Sequence, residues 1–177
     1  MWLDALDLER RLAGFARVRI AVAVGREGDE PTLGRDALDA LRNRLGDVDG
    51  EPLAFPHVRY SLSHSRGTAV AIGLLDAAPR GIGVDLEWCR RVPAGAERFY
   101  LSDRERRRFS GSSRLCLWTV KEALFKADLG NASTRLHHYE LCTADPARGL
   151  GVSRRGALFR YASLELDDGF LSVAVAL

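Results

Sequence analysis

The sequence predicts an α+β fold, and three observations carry that expectation. Several short stretches alternate apolar with small or polar residues, two longer runs place apolar residues at helical spacing, and glycine-bearing turns join neighbouring strands into hairpins. Residues 18–25 alternate in size and end on Gly25, the pattern of a first strand, and a charged loop follows from Arg26 to Glu30. In residues 33–46 Ala37, Leu38, Leu41 and Leu45 fall on one helical face, with Gly46 as the stop. Residues 59–63 and 68–75 read as a hairpin connected through His64, Ser65, Arg66 and Gly67. A third strand follows at 81–87 and ends near Pro93.

Beyond Pro93, Ser102 and Glu105 have capping-box spacing, which predicts a short helix running through the arginines to Phe109. Residues 114–129 form the strongest helical pattern, with Leu117, Val120, Leu124 and Ala127 towards a core and Gly130 ending it. Strands are expected at 136–142, 157–166 and 170–176, the last two joined by Asp167, Asp168 and Gly169. A faint internal echo links Gly67–Ile72 with Gly169–Ala174, weak support for a duplication because short apolar strands resemble one another.

Composition bounds the function. A chain of 177 residues, 46% hydrophobic, can bury a core as one domain or as two small halves sharing an interface. Its 26 basic and 24 acidic residues leave a net charge of +2, too balanced for a nucleic-acid partner. Cys89, Cys116 and Cys142 are odd in number and widely spaced, which fits neither a zinc pattern nor a disulfide framework and suggests a reducing, cytoplasmic setting. There is no apolar run long enough for a signal segment or a membrane span, so no membrane partner is expected.

The chemistry concentrates in two segments. In Gly83-Val84-Asp85-Leu86-Glu87 a strand sends Asp85 and Glu87 to one face and Val84 and Leu86 to the other. In Trp118-Thr119-Val120-Lys121-Glu122-Ala123-Leu124-Phe125-Lys126 the residues Trp118, Glu122 and Lys126 recur at helical spacing. Three carboxylates and a lysine therefore suit a magnesium ion, which takes one or two carboxylates and leaves its other positions to water and phosphate. Each piece alone has a plainer explanation. Glu122 and Lys126 also read as a helix-surface ion pair worth ~0.3 kcal/mol, and Asp85 and Glu87 as the solvated side of an edge strand. Ser61-Leu62-Ser63-His64-Ser65 offers hydroxyls and an imidazole to a phosphate, a weak signal in isolation. His57, His137 and His138 show no such neighbours.

Taken together and in this order, Ser-Leu-Ser-His-Ser, Gly-Val-Asp-Leu-Glu and Trp-Thr-Val-Lys-Glu-Ala-Leu-Phe-Lys resemble the 4′-phosphopantetheinyl transferase superfamily, from about Leu33 to the C-terminus. The tryptophan opening the last motif is similar to the Sfp-type class, in which two similar α+β halves pack as a pseudo-dimer with the site between them. The resemblance implies halves at 1–80, carrying the residues that grip coenzyme A, and 81–177, carrying the metal and catalytic residues. It implies a monomeric enzyme that moves the 4′-phosphopantetheine group from coenzyme A to a serine of an apo acyl, peptidyl or aryl carrier protein, releasing 3′,5′-ADP. Asp85, Glu87 and Glu122 would hold Mg²⁺, with Glu87 either a direct or a water-mediated ligand. Glu122, or a water it orients, would deprotonate the carrier serine, and Lys126 would stabilise or protonate the departing phosphate. Ser63, His64 and Lys126 would contact the phosphates of coenzyme A, and Arg35 its 3′-phosphate, for which a guanidinium offers bidentate geometry. Trp118 is expected to pack rather than react.

Two departures point to an alternative. The family shows a lysine or arginine between glycine and proline where this chain has Gly50-Glu51-Pro52, and an acid there repels phosphate. The region before Leu33 is also short for the class. The alternative is a non-catalytic carrier-binding module of the same fold with weakened coenzyme A binding. Arg90, Arg91, Arg104, Arg106, Arg107 and Arg108 could face an acidic carrier helix, or could simply form a solvated surface.

Overall fold

The computed structural model describes residues 3–15, 18–26, 30–47, 53–75, 80–88 and 91–177. Helix α1 (Ala5–Leu12) precedes strand β1 (Ile20–Arg26), helix α2 (Glu30–Arg44) and the hairpin β2 (Tyr60–Ser65) and β3 (Thr68–Leu74). Strand β4 (Ile82–Trp88) opens the second part, followed by α3 (Glu97–Tyr100), α4 (Asp103–Arg108) and α5 (Arg114–Ala127). Strands β5 (Tyr139–Leu141), β6 (Arg148–Ser153), β7 (Leu158–Leu166) and β8 (Gly169–Ala176) complete it.

Two antiparallel sheets result, one in the order β1-β3-β2 and one in the order β4-β8-β7-β6-β5. Each contains the same path: a strand, a helix that packs back on it, then a hairpin whose second strand pairs with the first. The path runs β1, α2, β2, β3 in one half and β4, α5, β7, β8 in the other. The two echoing segments, Gly67–Ile72 and Gly169–Ala174, fall on the corresponding central strands β3 and β8. The fold is thus α+β with two similar halves, as expected.

Helix α2 covers one face of the first sheet through Leu33, Ala37 and Leu41, and α5 covers one face of the second through Leu117, Val120, Leu124 and Ala127. The other sheet faces share a single core. Val22, Val70 and Ile72 from the first sheet meet Val84, Leu86 and Val173 from the second, and Leu8 and Leu12 of α1 pack into the same cluster. All of these side chains are almost wholly buried, and at about 25 cal/mol per Å² of apolar surface this shared core is what holds the halves together.

Two elements were not foreseen and one expectation is corrected. Helix α1, capped by Asp4 accepting from the Asp7 amide at 2.9 Å, was not expected, because two leucines one turn apart in an acidic segment are a thin periodic signal. Strand β6 carries two glycines and little β-propensity, and forms because it is flanked by β5 and β7. The β2–β3 connection is only Arg66 and Gly67, both with positive φ (46° and 72°), so His64 and Ser65 belong to the strand. Two such residues make the tight turn whose twist matches the flanking strands.

Candidate active site

The edge strands β2 and β4 lie side by side and run in the same direction, but side chains rather than backbone join them. Alternate amides of a strand in an antiparallel pair turn away from its partner, and on β4 those of Val84, Leu86 and Trp88 turn towards β2. They donate to the hydroxyls of Ser61, Ser63 and Ser65 at 2.9, 3.1 and 3.3 Å. The alternation Ser-Leu-Ser-His-Ser places these three hydroxyls on one side of the strand.

Helix α5 reaches this seam because β4 has glycine at its contact point. A Cβ on Gly83 would meet the Ala123 carbonyl oxygen at 2.0 Å and the Ala127 amide nitrogen at 2.6 Å, so only glycine permits the approach. Lys126 then extends into the seam. Its Nζ lies 2.8 Å from Asp85 Oδ1, 3.1 Å from the Val84 carbonyl oxygen and 3.2 Å from Ser63 Oγ. Ser63 Oγ also donates to Asp85 Oδ1 at 3.1 Å. Burial pushes the Asp85 carboxyl above its ordinary range; the charge and hydrogen bond of Lys126 and the Ser63 hydroxyl pull the other way, and the charge of Glu87 adds to the rise. Asp85 Oδ2 is buried and has no hydrogen-bond partner among the described residues.

These groups open onto a cavity of about 510 Å³. Ser63, His64, Asp85 and Lys126 stand on its wall, together with Ser61 and Asn131 and an apolar side made by Phe55, Pro56, Leu62 and Phe125. Four of the seven site residues expected from sequence are therefore brought together. The other three stand outside the wall. Glu87 is half-buried further along β4, where its Oε2 accepts from Ser65 Oγ at 3.2 Å. Glu122 is half-buried on α5, one turn before Lys126. Arg35 is exposed on α2.

Among the described residues, no three carboxylates, imidazoles or thiols come together closely enough to hold a metal ion. Asp85 Oδ1 is shared by Lys126 and Ser63, so an internal ammonium supplies positive charge beside it. The donor chemistry nevertheless fits a hard divalent cation. Asp85 keeps one desolvated oxygen without a partner, Glu87 is close enough to act on it electrostatically, and carboxylate oxygens are what magnesium selects.

Other expectations resolve around this site. Trp118 is half-buried with its ring edge-on to Tyr100 at 5.3 Å, a packing contact. The arginines of α4 are exposed and mostly engaged on their own surface: Arg104 with Glu140 at 3.3 Å, Arg106 with Asp103, and Arg108 with the carbonyls of Leu141 and Cys142. Arg91 is exposed. Cys116 is buried and Cys142 exposed, both free thiols. Arg90, Cys89 and Glu51, with the departure from family pattern that Glu51 represents, lie outside the described residues. No described helix is long and apolar enough to cross a membrane.

Sequence reasoning missed two features. His57, which seemed to lack partners, accepts the Arg59 and Tyr60 amides on Nδ1, each at 3.1 Å, and stacks on Tyr60. Lys121 is fully buried on Glu105 at 2.6 Å. Its position, four residues after Leu117 and three before Leu124, puts a charge inside the apolar stripe of α5, and that was the available signal.

A search of curated proteins gave no match to the chain. A sequence model of the 4′-phosphopantetheinyl transferase superfamily matches residues 81–170, which run from the start of β4 through α5 to β8 and make up just over half of the chain. With the motifs of β4 and α5 inside the matched region and the cavity between the halves, the chain belongs to the 4′-phosphopantetheinyl transferase superfamily.

Proposed function

We propose that this chain is an Mg²⁺-dependent enzyme that transfers 4′-phosphopantetheine from coenzyme A to a serine hydroxyl of an apo acyl or peptidyl carrier protein, a holo-acyl-carrier-protein synthase activity. Phosphopantetheinyl transfer with coenzyme A as donor and a carrier protein as acceptor is the general reaction of the family. The observation that supports the finer reading best is the convergence of Asp85, Lys126, Ser63 and His64 on one cavity between the two sheets. The boundary we assign between the halves, 1–80 and 81–177, falls just before β4.

In the reaction, the carrier serine oxygen forms a bond to the phosphorus that bears the pantetheine arm. The bond from that phosphorus to the nucleotide's bridging oxygen breaks, and 3′,5′-ADP leaves. Phosphoryl chemistry of this kind depends on positioning and charge stabilisation more than on covalent help. His64 and Lys126 supply donors to the diphosphate from the cavity wall, and the apolar side formed by Phe55, Leu62 and Phe125 offers surface to the pantetheine arm. Lys126, already at the seam, stabilises charge on the departing phosphate. Glu122, directly or through a water, takes the serine proton, a role that rests on the family motif. Asp85, Glu87 and Glu122 are the residues that would hold Mg²⁺. When bound, it would neutralise the diphosphate and favour departure of the nucleotide. Arg35 is proposed to read the 3′-phosphate. We further propose a monomeric cytoplasmic protein that binds neither nucleic acid nor membrane.

Incubation with coenzyme A, Mg²⁺ and a panel of apo carriers, followed by mass spectrometry of the carriers, tests this reading. A phosphopantetheine adduct on at least one carrier, lost on chelation, is expected. If no carrier is modified while a control enzyme modifies them, the proposal fails.

A further inference from the structure

The serine seam does more than join two sheets. Ser61, Ser63 and Ser65 each accept an amide of β4 with a constant offset of 23 positions. Ser63 and Ser65 also donate to the side chain one residue earlier on β4: Ser63 to Asp85 Oδ1 at 3.1 Å and Ser65 to Glu87 Oε2 at 3.2 Å. At the corresponding position for Ser61 stands Gly83, which has no carboxylate. The pattern therefore has two acid-bearing rungs and one blank. All three serines are buried, and the hydroxyl protons of Ser63 and Ser65 are directed at carboxylates rather than at bulk solvent.

We infer that Ser65 is a positioning residue for Glu87: its hydroxyl, fixed by the Trp88 amide across the seam, aims the Glu87 carboxylate, so that the orientation of this acid depends on the docking of the two halves. Ser63 ties Asp85 to the same seam. Glutamate has more rotamer freedom than aspartate, and Glu87 is the more exposed of the two acids, so it gains more from an orienting partner. Groups that hydrogen-bond to a metal-binding carboxylate set its direction, and their loss costs metal affinity. This inference rests on the reading that Asp85 and Glu87 hold Mg²⁺.

The blank rung supplies the control. Ser61→Ala and Ser65→Ala each remove one hydroxyl that accepts a β4 amide, so both are expected to lower the urea midpoint by similar amounts. Only Ser65→Ala also removes the bond to Glu87. Mg²⁺ titrated calorimetrically into each protein in the presence of coenzyme A should bind about tenfold or more weakly to Ser65→Ala than to Ser61→Ala. Ser65→Thr, which keeps a hydroxyl, should recover most of the affinity. Equal Mg²⁺ affinity in Ser61→Ala and Ser65→Ala, or no recovery in Ser65→Thr, overturns the positioning role while the metal reading stands. Absence of Mg²⁺ binding by the unsubstituted protein overturns the metal reading and this inference with it.

Discussion

Helix α5 carries two lysines that each meet a carboxylate, and their surroundings differ completely. Lys121 and Glu105 have 0% and 1% of their side chains exposed, and both oxygens of Glu105 are used. Oε1 accepts Lys121 Nζ and the Leu141 amide, and Oε2 accepts the Ser102 amide, while Lys121 Nζ also donates to the Tyr139 carbonyl. Lys126 and Asp85 keep 30% and 8% exposed, border a cavity, and leave Asp85 Oδ2 without a partner. The same chemical pair is thus a lock in one place and part of a candidate site in the other. A closed network fixes α4, α5 and β5 to one another; an incomplete one retains capacity for a ligand. Burial opposes both charges, pushing the Lys121 ammonium down and the Asp85 carboxyl up, so neither pair is present for cheap stability.

The largest expected effect breaks the lock. Lys121→Met leaves Glu105 buried without its ammonium and should cost about 3–5 kcal/mol in urea unfolding. Lys121→Met combined with Glu105→Gln should cost less, because no charge is then stranded and the side-chain amide oxygen still accepts a backbone amide. A single variant within about 1 kcal/mol of the unsubstituted protein would show that the pair is not the lock described.

Next comes the approach of α5 to the site. Gly83→Ala drives a methyl group into the Ala123 carbonyl and the Ala127 amide, both backbone atoms, so α5 must move. About 1–3 kcal/mol of stability should be lost, and turnover should fall by more than that loss explains, since Lys126 moves with the helix. Unchanged turnover in the folded variant would separate α5 placement from the chemistry.

The third effect is the pH dependence expected of the open pair's carboxylate. With its folded pKa raised, Asp85 contributes stability that is present below the unfolded carboxylate pKa and is lost as pH rises through the folded one. Asp85→Asn cannot ionise, so it should gain stability relative to the unsubstituted protein as pH rises, the gap closing in acid. Lys126 is partly exposed and can turn to solvent in the variant. A gap that is constant with pH, or of opposite sign, contradicts the assignment of burial as the dominant influence on Asp85.

The locked and open pairs also mark what could be read from the chain. Periodicity located β4 and α5, and the strand alternation correctly separated Asp85 from Val84 and Leu86, which are core residues. The capping box at Ser102 and Glu105 was legible, and so was the turn through Asp167 and Asp168 that leads into β8. Lys121 was not, because helical spacing shows where a charge lies but not that Glu105 and the Tyr139 carbonyl await it from other elements. The hydroxyl seam was half legible: the alternation of Ser61, Ser63 and Ser65 was visible, yet their partners lie 22 or 23 residues away on a different sheet. Phe55 reaches the cavity from a bend and Asn131 from a three-residue 3-10 helix, segments too short for a periodic pattern to announce them. Arg35 stands exposed on α2, the helix that the spacing of residues 33–46 predicts, and its part in reading a phosphate rests on the motif.

The central claim is that the open pair and its neighbouring acids perform transfer while the closed pair only holds the fold. Measuring carrier modification by mass spectrometry beside the urea midpoint for Asp85→Ala and Glu122→Ala tests it most directly. Both variants should lose transfer, by about a thousandfold or more, with unfolding midpoints close to that of the unsubstituted protein. Near-normal transfer by the folded Asp85→Ala variant would contradict the account.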